Sequence, residues 1–229
     1  MAEATRKLSL FVTGTDTGVG KTLASAGLLH ALARHHVRVV GMKPVAAGTV
    51  QVNGEDLNED VLALRAASNY RVPPELDNPV LLPDPVSPHI AAARAGTRID
   101  IAHLVACQRR LAQLADAVVV EGAGGFHVPL SPTETGADLA LALALPVVLV
   151  VGLRLGCLNH ALLTAEAIRA RGLTLAGWVA NHVDPDMLAQ EDNIEFLQQR
   201  LRAPLLASIP WQPGLDPRDV TIHLPAEWQ

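Results

Sequence analysis

Aromatic residues and cysteines are scarce in this chain of 229 residues, and each scarcity excludes a class of structure. Aromatics make up 3% of the chain and hydrophobic residues 49%, so the core must be aliphatic, as helices packed on a parallel sheet require. The two cysteines, Cys107 and Cys157, form no C-x-x-C pair. They therefore indicate neither a disulfide framework nor a zinc site, and they favour a reducing cytoplasm.

Clustered positive charge is also lacking. Lys and Arg total 18 against 23 Asp and Glu, a net charge of -5, and no basic run occurs, so nucleic acid is not an expected partner.

The N-terminal "MAEATRKLSLFVTG" has too short an apolar run for a signal peptide and predicts a lead-in to a first strand. Pro146 divides the most apolar window, residues 137–153, into a helix-like and a strand-like part, so no membrane span is expected.

Continuously apolar runs alternate with helix-like segments along the chain. Such runs favour strands that are buried on both faces, and hence a parallel sheet. The alternation predicts one doubly wound α/β domain over residues 1–229, with helices on both faces and a ligand site at the carboxyl ends of the strands. The predicted strands are Leu8–Gly14, Val37–Val45, Ala117–Gly125, Pro146–Gly152 and Leu175–Val183, with Pro204–Pro210 as a candidate sixth; the predicted helices are Lys21–Arg34, Asn58–Ala67, Ile101–Ala115, Asn159–Ala170 and Met187–Arg200.

A proline-rich passage, Arg71–Gly96, interrupts this alternation. Its six prolines are incompatible with regular helix over most of its length. The passage therefore predicts a long loop that crosses the edge of the sheet.

The segment "GTDTGVGKT", residues 14–22, follows a predicted strand and opens a predicted helix, which is the context of a phosphate-binding P-loop. Five residues separate Gly14 from Gly20, where the common G-x-x-x-x-G-K-[ST] pattern has four. The glycines let the backbone approach phosphate oxygens, and the helix N-terminus points amide groups at them. Lys21 is expected to reach the β and γ phosphates, and the Thr22 hydroxyl to bind Mg²⁺.

Charged residues near other strand ends fit the same site. Glu121 ends the apolar run of the predicted strand Ala117–Gly125, where P-loop enzymes place a carboxylate that orders Mg²⁺. Lys43 lies near the end of the second predicted strand, just beyond its buried residues, where an ammonium would stabilise a transferring phosphoryl group or an anionic acceptor. Asp56, Glu59 and Asp60 enrich a helix start; they are favourable partners of the helix dipole, and one of them is a candidate metal ligand.

Six motifs, in this order, resemble dethiobiotin synthetase over nearly the whole chain: "GTDTGVGKT", "KPVAAG", "VVVEGAGG", "LGCLNH", "GWVANHV" and "SIPW". The resemblance implies an ATP-dependent ligase that closes the ureido ring of dethiobiotin on 7,8-diaminononanoate (7,8-diaminopelargonic acid) with CO₂, in the penultimate step of biotin synthesis. A carbamate and a carbamic-phosphoric anhydride are the implied intermediates, and ADP and phosphate are released. The chemistry needs no protein nucleophile, because positioning and charge stabilisation drive it.

The resemblance also implies roles for individual residues. Lys21 and Lys43 would flank the carbamate and the γ-phosphate with Thr22 as a third catalytic residue, and Thr22, Asp60 and Glu121 would hold Mg²⁺. The implied ATP-binding residues are Thr17, Gly18, Val19, Gly20, Lys21, Thr22, Asp60, Glu121, Gly122, Ala123, Gly124, Asn181, His182, Pro210, Trp211 and Gln212, with Asn181 bonding the adenine and Pro210 and Trp211 beside it. The implied diamine-binding residues are Ala47, Gly156, Cys157 and Asn159, the last three gripping the substrate carboxylate from the partner subunit of a homodimer.

Two residues depart from the pattern of many relatives. Ala47 stands where many have Ser, which removes a possible hydrogen bond to the substrate, and Gly18 stands where many have Glu, which removes a negative charge beside the phosphates. The tripeptide Ser87–Pro88–His89 matches the family and is expected to shape its loop.

Two alternatives remain beside this interpretation. A partitioning-type P-loop switch ATPase would carry a signature lysine near the loop start, where this chain has Asp16, and often a basic or amphipathic tail, unlike "DVTIHLPAEWQ". A related amidoligase, acting on cobyrinate-type acids, would carry a further glutaminase domain that the chain is not expected to hold.

Overall fold

The computed structural model describes residues 7–52 and 54–229 and is organised around a six-stranded parallel sheet with strand order β10-β9-β8-β1-β7-β2. Residues 1–6 of the predicted lead-in lie outside the described residues. The strands are β1 (Leu8–Gly14), β2 (Val39–Met42), β3 (Val45–Ala47), β4 (Val50–Val52), β5 (Glu55–Leu57), β6 (Val80–Leu82), β7 (Ala117–Gly125), β8 (Val147–Leu153), β9 (Leu175–His182) and β10 (Leu205–Ile209). The helices are α1 (Lys21–Leu32), α2 (Glu59–Ala67), α3 (Pro74–Asp77), α4 (Pro88–Arg94), α5 (Ile101–Leu114), α6 (Gly136–Leu143), α7 (Cys157–Ala170) and α8 (Gln190–Leu201), followed by 3₁₀ turns at Pro217–Asp219 and Ala226–Trp228.

Two apolar layers cover the two faces of this sheet. Successive strand residues point to opposite faces, so in β1 Leu10 and Val12 pack with α1, α2 and the C-terminal segment, while Phe11 packs with α4 to α8. Residues of β7 and β8 divide between the same two layers. The predicted parallel sheet with helices on both faces is confirmed, and its aliphatic strands are buried as their composition requires.

The second predicted strand, Val37–Val45, is wrong in its extent. It ends at Met42 because the next amide, Lys43 N–H, donates to the Asp77 carbonyl at 2.8 Å, and Pro44 has no N–H to continue the ladder. After this break β3 pairs in parallel with β6 as a separate two-stranded sheet. The break gives Lys43 an irregular position at the carboxyl end of β2.

The proline-rich passage was predicted as a loop, and this prediction is wrong in part, because α3, β6 and α4 lie within it. Pro74 and Pro88 are the first residues of their helices, where a missing N–H costs nothing. An antiparallel pair, β4 with β5, was not predicted. The other predicted strands and helices are present with ends shifted by up to three residues, and domain number stays a prediction.

The apolar window at residues 137–153 forms most of α6 and all of β8. Within the described ranges, no helix has the length and apolar character needed to cross a bilayer.

The sheet order gathers several loops at one edge. β1 lies between β7 and β8, and β2 lies beyond β7. Because these strands are parallel, the segments after their carboxyl ends meet: Thr15–Gly20 after β1, Lys43 after β2, the end of β7, and Arg154–Gly156 after β8.

Truncating a core leucine should test the layer formed by α5. Leu111 in α5 is 0% exposed, and Leu111→Ala is expected to lower the free energy of unfolding by about 2–5 kcal/mol, because it deletes buried methyl groups and leaves a cavity. Leu141→Ala in α6 is the control, since Leu141 is 47% exposed and its loss should change stability by no more than about 0.5 kcal/mol. Urea titrations measure both; equal losses would contradict the packing described.

Candidate active site

The loop between β1 and α1 is fastened to two neighbouring strands. Thr15 N–H donates to the Val150 carbonyl at 3.0 Å, and the Asn181 side-chain amide donates to the Val19 carbonyl at 2.9 Å. Gly18 and Gly20 have φ angles of 73° and 82°, in the left-handed region that favours glycine. The loop therefore has the close backbone approach and the following helix N-terminus that phosphate binding requires.

Gly20 is also required sterically. A Cβ at this position would lie 2.0 Å from Nδ2 of Asn181, which is 6% exposed at the end of β9. The Asn181 side chain therefore packs against Gly20 and holds the loop in place. Its predicted bond to adenine stays a prediction.

Four predicted site residues from separate elements meet beside this loop. The Thr22 hydroxyl lies 2.7 Å from Asp60 Oδ1 and 3.0 Å from Glu121 Oε1. The Lys43 ammonium donates to Asp60 Oδ2 at 2.7 Å and to Glu121 Oε1 at 2.6 Å. The tertiary structure thus brings together α1, α2, the middle of β7 and the break after β2, and we call Thr22, Lys43, Asp60 and Glu121 the carboxylate cluster.

Of the three acidic candidates at the start of α2, Asp60 is the one that reaches the cluster. The Asn58 side chain caps the helix by accepting the Val61 N–H at 3.2 Å, which places Asp60 in the first turn. Asp56 lies in β5 rather than at the helix start, and accepts hydrogen bonds there from Thr49 and Gln51.

The ion pair between Lys43 and Glu121 in this cluster is buried. Lys43 is 4% exposed and Glu121 0%. Burial opposes the charge of Lys43, but Glu121 and Asp60 outweigh it and raise the pKa of Lys43 above its ordinary value. Burial likewise opposes the charge of Asp60, but Lys43 and the Thr22 hydrogen bond hold the pKa of Asp60 below its usual range.

Lys21 is the second buried ammonium of the site. Its Nζ donates to the Asp16 carbonyl at 3.3 Å. Burial, followed by the charge of Lys43, lowers the pKa of Lys21 below its ordinary value. An anion placed between these two lysines would relieve their repulsion, which is a favourable setting for a phosphate.

The cluster has a donor set suited to Mg²⁺, which prefers one or two carboxylates and completes its shell with phosphates and water. Thr22, Asp60 and Glu121 supply a hydroxyl and two carboxylates. Within the described part of the chain, Glu121 Oε2 is buried without a hydrogen-bond partner, so this carboxylate has unused capacity as an acceptor. No group of three or more His, Cys, Asp or Glu side chains suited to a metal ion is found among residues 7–52 and 54–229.

The remaining predicted nucleotide residues lie at the ends of β7, β9 and β10. The Gly122 carbonyl is 3.5 Å from the Lys43 ammonium, so this part of the Gly122–Gly124 run borders the cluster. His182 has both ring nitrogens engaged, with Gln190 Oε1 at 2.6 Å and Ser208 Oγ at 2.9 Å. Pro210, Trp211 and Gln212 follow β10, and Trp211 is 52% exposed.

The predicted diamine residues fall into two groups on different elements. Ala47 ends β3, in the separate two-stranded sheet, whereas Gly156, Cys157 and Asn159 begin α7 after β8. Cys157 is buried, while Gly156 and Asn159 are exposed. Ser87 Oγ and His89 Nδ1 lie 3.0 Å apart at the start of α4, and the role of these residues in shaping the loop stays a prediction.

One ion pair at the site was missed by sequence reasoning. Arg154 Nη2 donates to Asp16 Oδ2 at 2.5 Å. Asp16 occupies the position of the switch ATPases' signature lysine, but nothing in the sequence connects it with an arginine 138 positions away.

The sheet, the loop at the end of β1 and the lysine and threonine that follow it define a P-loop NTPase fold. The chain belongs to the AAA domain family AAA_26, whose family model matches residues 8–219 and which includes dethiobiotin synthetase.

Solved structures of the same fold are similar over nearly the whole chain. The MinC:MinD cell division protein complex of Aquifex aeolicus matches with a TM-score of 0.56 and 18% identity over 91% of this chain and 83% of that chain. A ParA family ATPase from Chlorobium tepidum TLS matches at 0.55 and 14% over 92% and 86%. MinD complexed with Mg-ADP from Pyrococcus horikoshii OT3 matches at 0.56 and 19% over 90% and 82%. At these identities the matches establish the fold alone.

Gly20→Ala should weaken ADP binding at least tenfold, because the new Cβ collides with Asn181 and the backbone at φ 82° is strained. Calorimetric titration with MgADP measures the affinity. Gly172→Ala, at φ 72° with no atom within 4 Å of the added Cβ, imposes similar strain after α7 and should leave ADP affinity unchanged. Equal ADP affinities for the wild type and Gly20→Ala would remove this loop from the nucleotide site.

Lys43→Met should lower the free energy of unfolding by about 3–5 kcal/mol, because it leaves buried Glu121 without its countercharge. Adding Glu121→Gln to Lys43→Met should recover most of the loss, since the orphaned charge is then removed. Urea denaturation at neutral pH measures all three proteins. A double variant no more stable than Lys43→Met would contradict this charge balance.

Proposed function

We propose that this protein is a dethiobiotin synthetase, an ATP-dependent cyclo-ligase that forms the ureido ring from 7,8-diaminononanoate and CO₂. The observation that carries the proposal is Lys43, a second buried lysine held at the phosphate loop by Glu121 and Asp60. A phosphate loop alone requires Lys21; an additional fixed ammonium suits a reaction in which the phosphoryl acceptor is itself an anion. The ordered motifs and membership of a family that includes this enzyme support the same assignment.

ATP would bind with its phosphates on the backbone of Thr17–Thr22 and with Lys21 at the β and γ phosphates. Thr22, Asp60 and Glu121 would hold Mg²⁺, which would neutralise phosphate charge. The base would lie near Asn181 and the residues after β10. Catalysis at such a site is positioning and electrostatic stabilisation.

The chemistry balances without a protein nucleophile. One amine of the substrate adds to CO₂, forms a C–N bond and loses a proton to give a carbamate. The carbamate oxygen then takes the γ-phosphoryl group, ADP leaves, and a carbamic-phosphoric anhydride forms. The neighbouring amine attacks the anhydride carbonyl carbon, closing the ring as phosphate departs and a proton is released.

Lys43 would stabilise the anionic acceptor in this sequence. Its ammonium lies within 2.7 Å of two carboxylates that we assign to the metal, so it would act on phosphates bound at that metal. Two lysines on the carbamate and the γ-phosphate would allow two anions to approach each other.

The diamine would be held from two subunits. Gly156 and Asn159 are exposed at the start of α7, and the adjoining Leu155 is 95% exposed. We assign this turn to the substrate carboxylate of the partner's site in a homodimer, as the resemblance implies. Ala47 would contact the diamine from the subunit that holds the ATP.

A partitioning-type switch ATPase is the second candidate, favoured by the similarity in fold to MinD and ParA family structures. Such a protein would hydrolyse ATP without a diamine. Asp16, where those proteins have a signature lysine, and its contact with Arg154 weigh against this candidate.

Incubating the purified protein with MgATP, bicarbonate and 7,8-diaminononanoate should produce dethiobiotin and ADP in equal amounts. Mass spectrometry identifies the cyclic urea, and a coupled assay counts ADP. Lys43→Met is expected to reduce dethiobiotin formation by about 10²–10³-fold, the usual cost of one electrostatic stabiliser. Arg38→Met, at the opposite end of the sheet from the site, should retain it.

ATP hydrolysis that is independent of the diamine, with no cyclic urea formed, would reject the synthetase and favour the switch ATPase. Binding of MgADP, measured in the same preparations, shows whether the variants are folded. Normal turnover by Lys43→Met would remove Lys43 from the site.

A further inference from the structure

The ion pair between Asp16 and Arg154 joins the phosphate loop to the turn after β8. Arg154 Nη2 lies 2.5 Å from Asp16 Oδ2, with the two side chains 41% and 48% exposed. Neither residue belongs to the carboxylate cluster, and neither is required by the chemistry proposed above.

Asp16 makes contacts in three directions within and beside the loop. Its Oδ1 accepts the Thr17 N–H at 2.7 Å, its Oδ2 accepts Arg154, and its carbonyl accepts the Lys21 ammonium at 3.3 Å. A shift of Asp16 would therefore move both the amide that begins the phosphate-binding stretch and the lysine that faces the phosphates.

Arg154 in turn opens the segment that leads into α7. Its carbonyl accepts the Cys157 N–H at 2.9 Å, closing a tight turn in which Gly156 has φ 96°. The exposed residues Leu155, Gly156 and Asn159 are carried by this turn and the first residues of α7. The guanidinium therefore links the loop at the end of β1 with the turn at the end of β8.

We propose that Arg154 is a positioning residue which, through Asp16, fixes the position of the phosphate loop relative to the turn before α7. Nucleotide binding at the phosphate loop and ligand binding at this turn are consequently linked. Given the proposed function, the turn serves the diamine carboxylate of the partner's site, so nucleotide held in one subunit favours diamine binding in the other. The effect on the nucleotide is independent of that assignment.

The first experiment uses nucleotide binding alone. Arg154→Met and Asp16→Asn should each weaken MgADP binding about threefold to tenfold, and the double variant no more than either single, because both remove one shared contact. Asn at position 16 keeps an oxygen for Thr17 N–H, so its effect isolates the loss of charge. Arg154→Lys should recover most of the affinity. Arg38→Met breaks the ion pair with Asp116 at the other end of the sheet, where the arginine is 42% exposed, and should leave MgADP affinity unchanged.

The salt dependence of MgADP affinity distinguishes an electrostatic role of Arg154 from a purely structural one. At about 1 M salt the Debye length is about 3 Å, so the difference in MgADP affinity between the wild type and Arg154→Met should become smaller. Affinities within twofold of the wild type for both single variants, or effects that add in the double variant, would overturn the proposal.

The second experiment tests the link to the diamine. In the dethiobiotin assay, Arg154→Met should raise KM for the diamine about fivefold with kcat reduced by less than twofold. A loss confined to kcat would overturn the link to the diamine. If the wild type makes no dethiobiotin, the proposed function fails, but the MgADP measurements still decide whether Arg154 positions the phosphate loop.

Discussion

The contact of Lys43 with Glu121 and Asp60 is the interaction on which the arrangement of the site depends. Glu121 has no exposure to water, and its charge is held by an ammonium that is itself 4% exposed. Removing Lys43 would leave Glu121 buried beside Asp60 without their shared countercharge, so the cluster forms as a unit. Because its members come from four different elements, this charge balance also fixes how those elements meet.

The break at the end of β2 makes that contact possible. Had the strand continued to Val45 as predicted, Lys43 would have remained part of the ladder. Instead its amide is taken by the Asp77 carbonyl, from a segment that was predicted as loop. The same segment provides β6, the partner of β3. The proline-rich passage thus has a structural role beside the site that composition did not indicate.

The sequence predicted well those features that depend on local pattern. Buried strands read as continuous apolar runs, and Gly20, Lys21 and Thr22 are recognised by their position between a strand and a helix. Local pattern could not choose Asp60 over Asp56 or Glu59, because all three enrich the same helix start. The family resemblance implied Asp60, and the packing of α2 brings Asp60 to Thr22. The support of the loop by Asn181 was likewise invisible, since it depends on the space beside Gly20.

By itself, the sequence determined the class of fold, the phosphate loop and the residue types available for chemistry, because alternation, glycine spacing and charge are properties of neighbouring positions. Only the tertiary structure decided which of these residues meet. Lys43 reaches Glu121 across 78 positions and Arg154 reaches Asp16 across 138. Such contacts follow from strand order, since parallel strands place residues that are distant in the chain at one edge of a sheet.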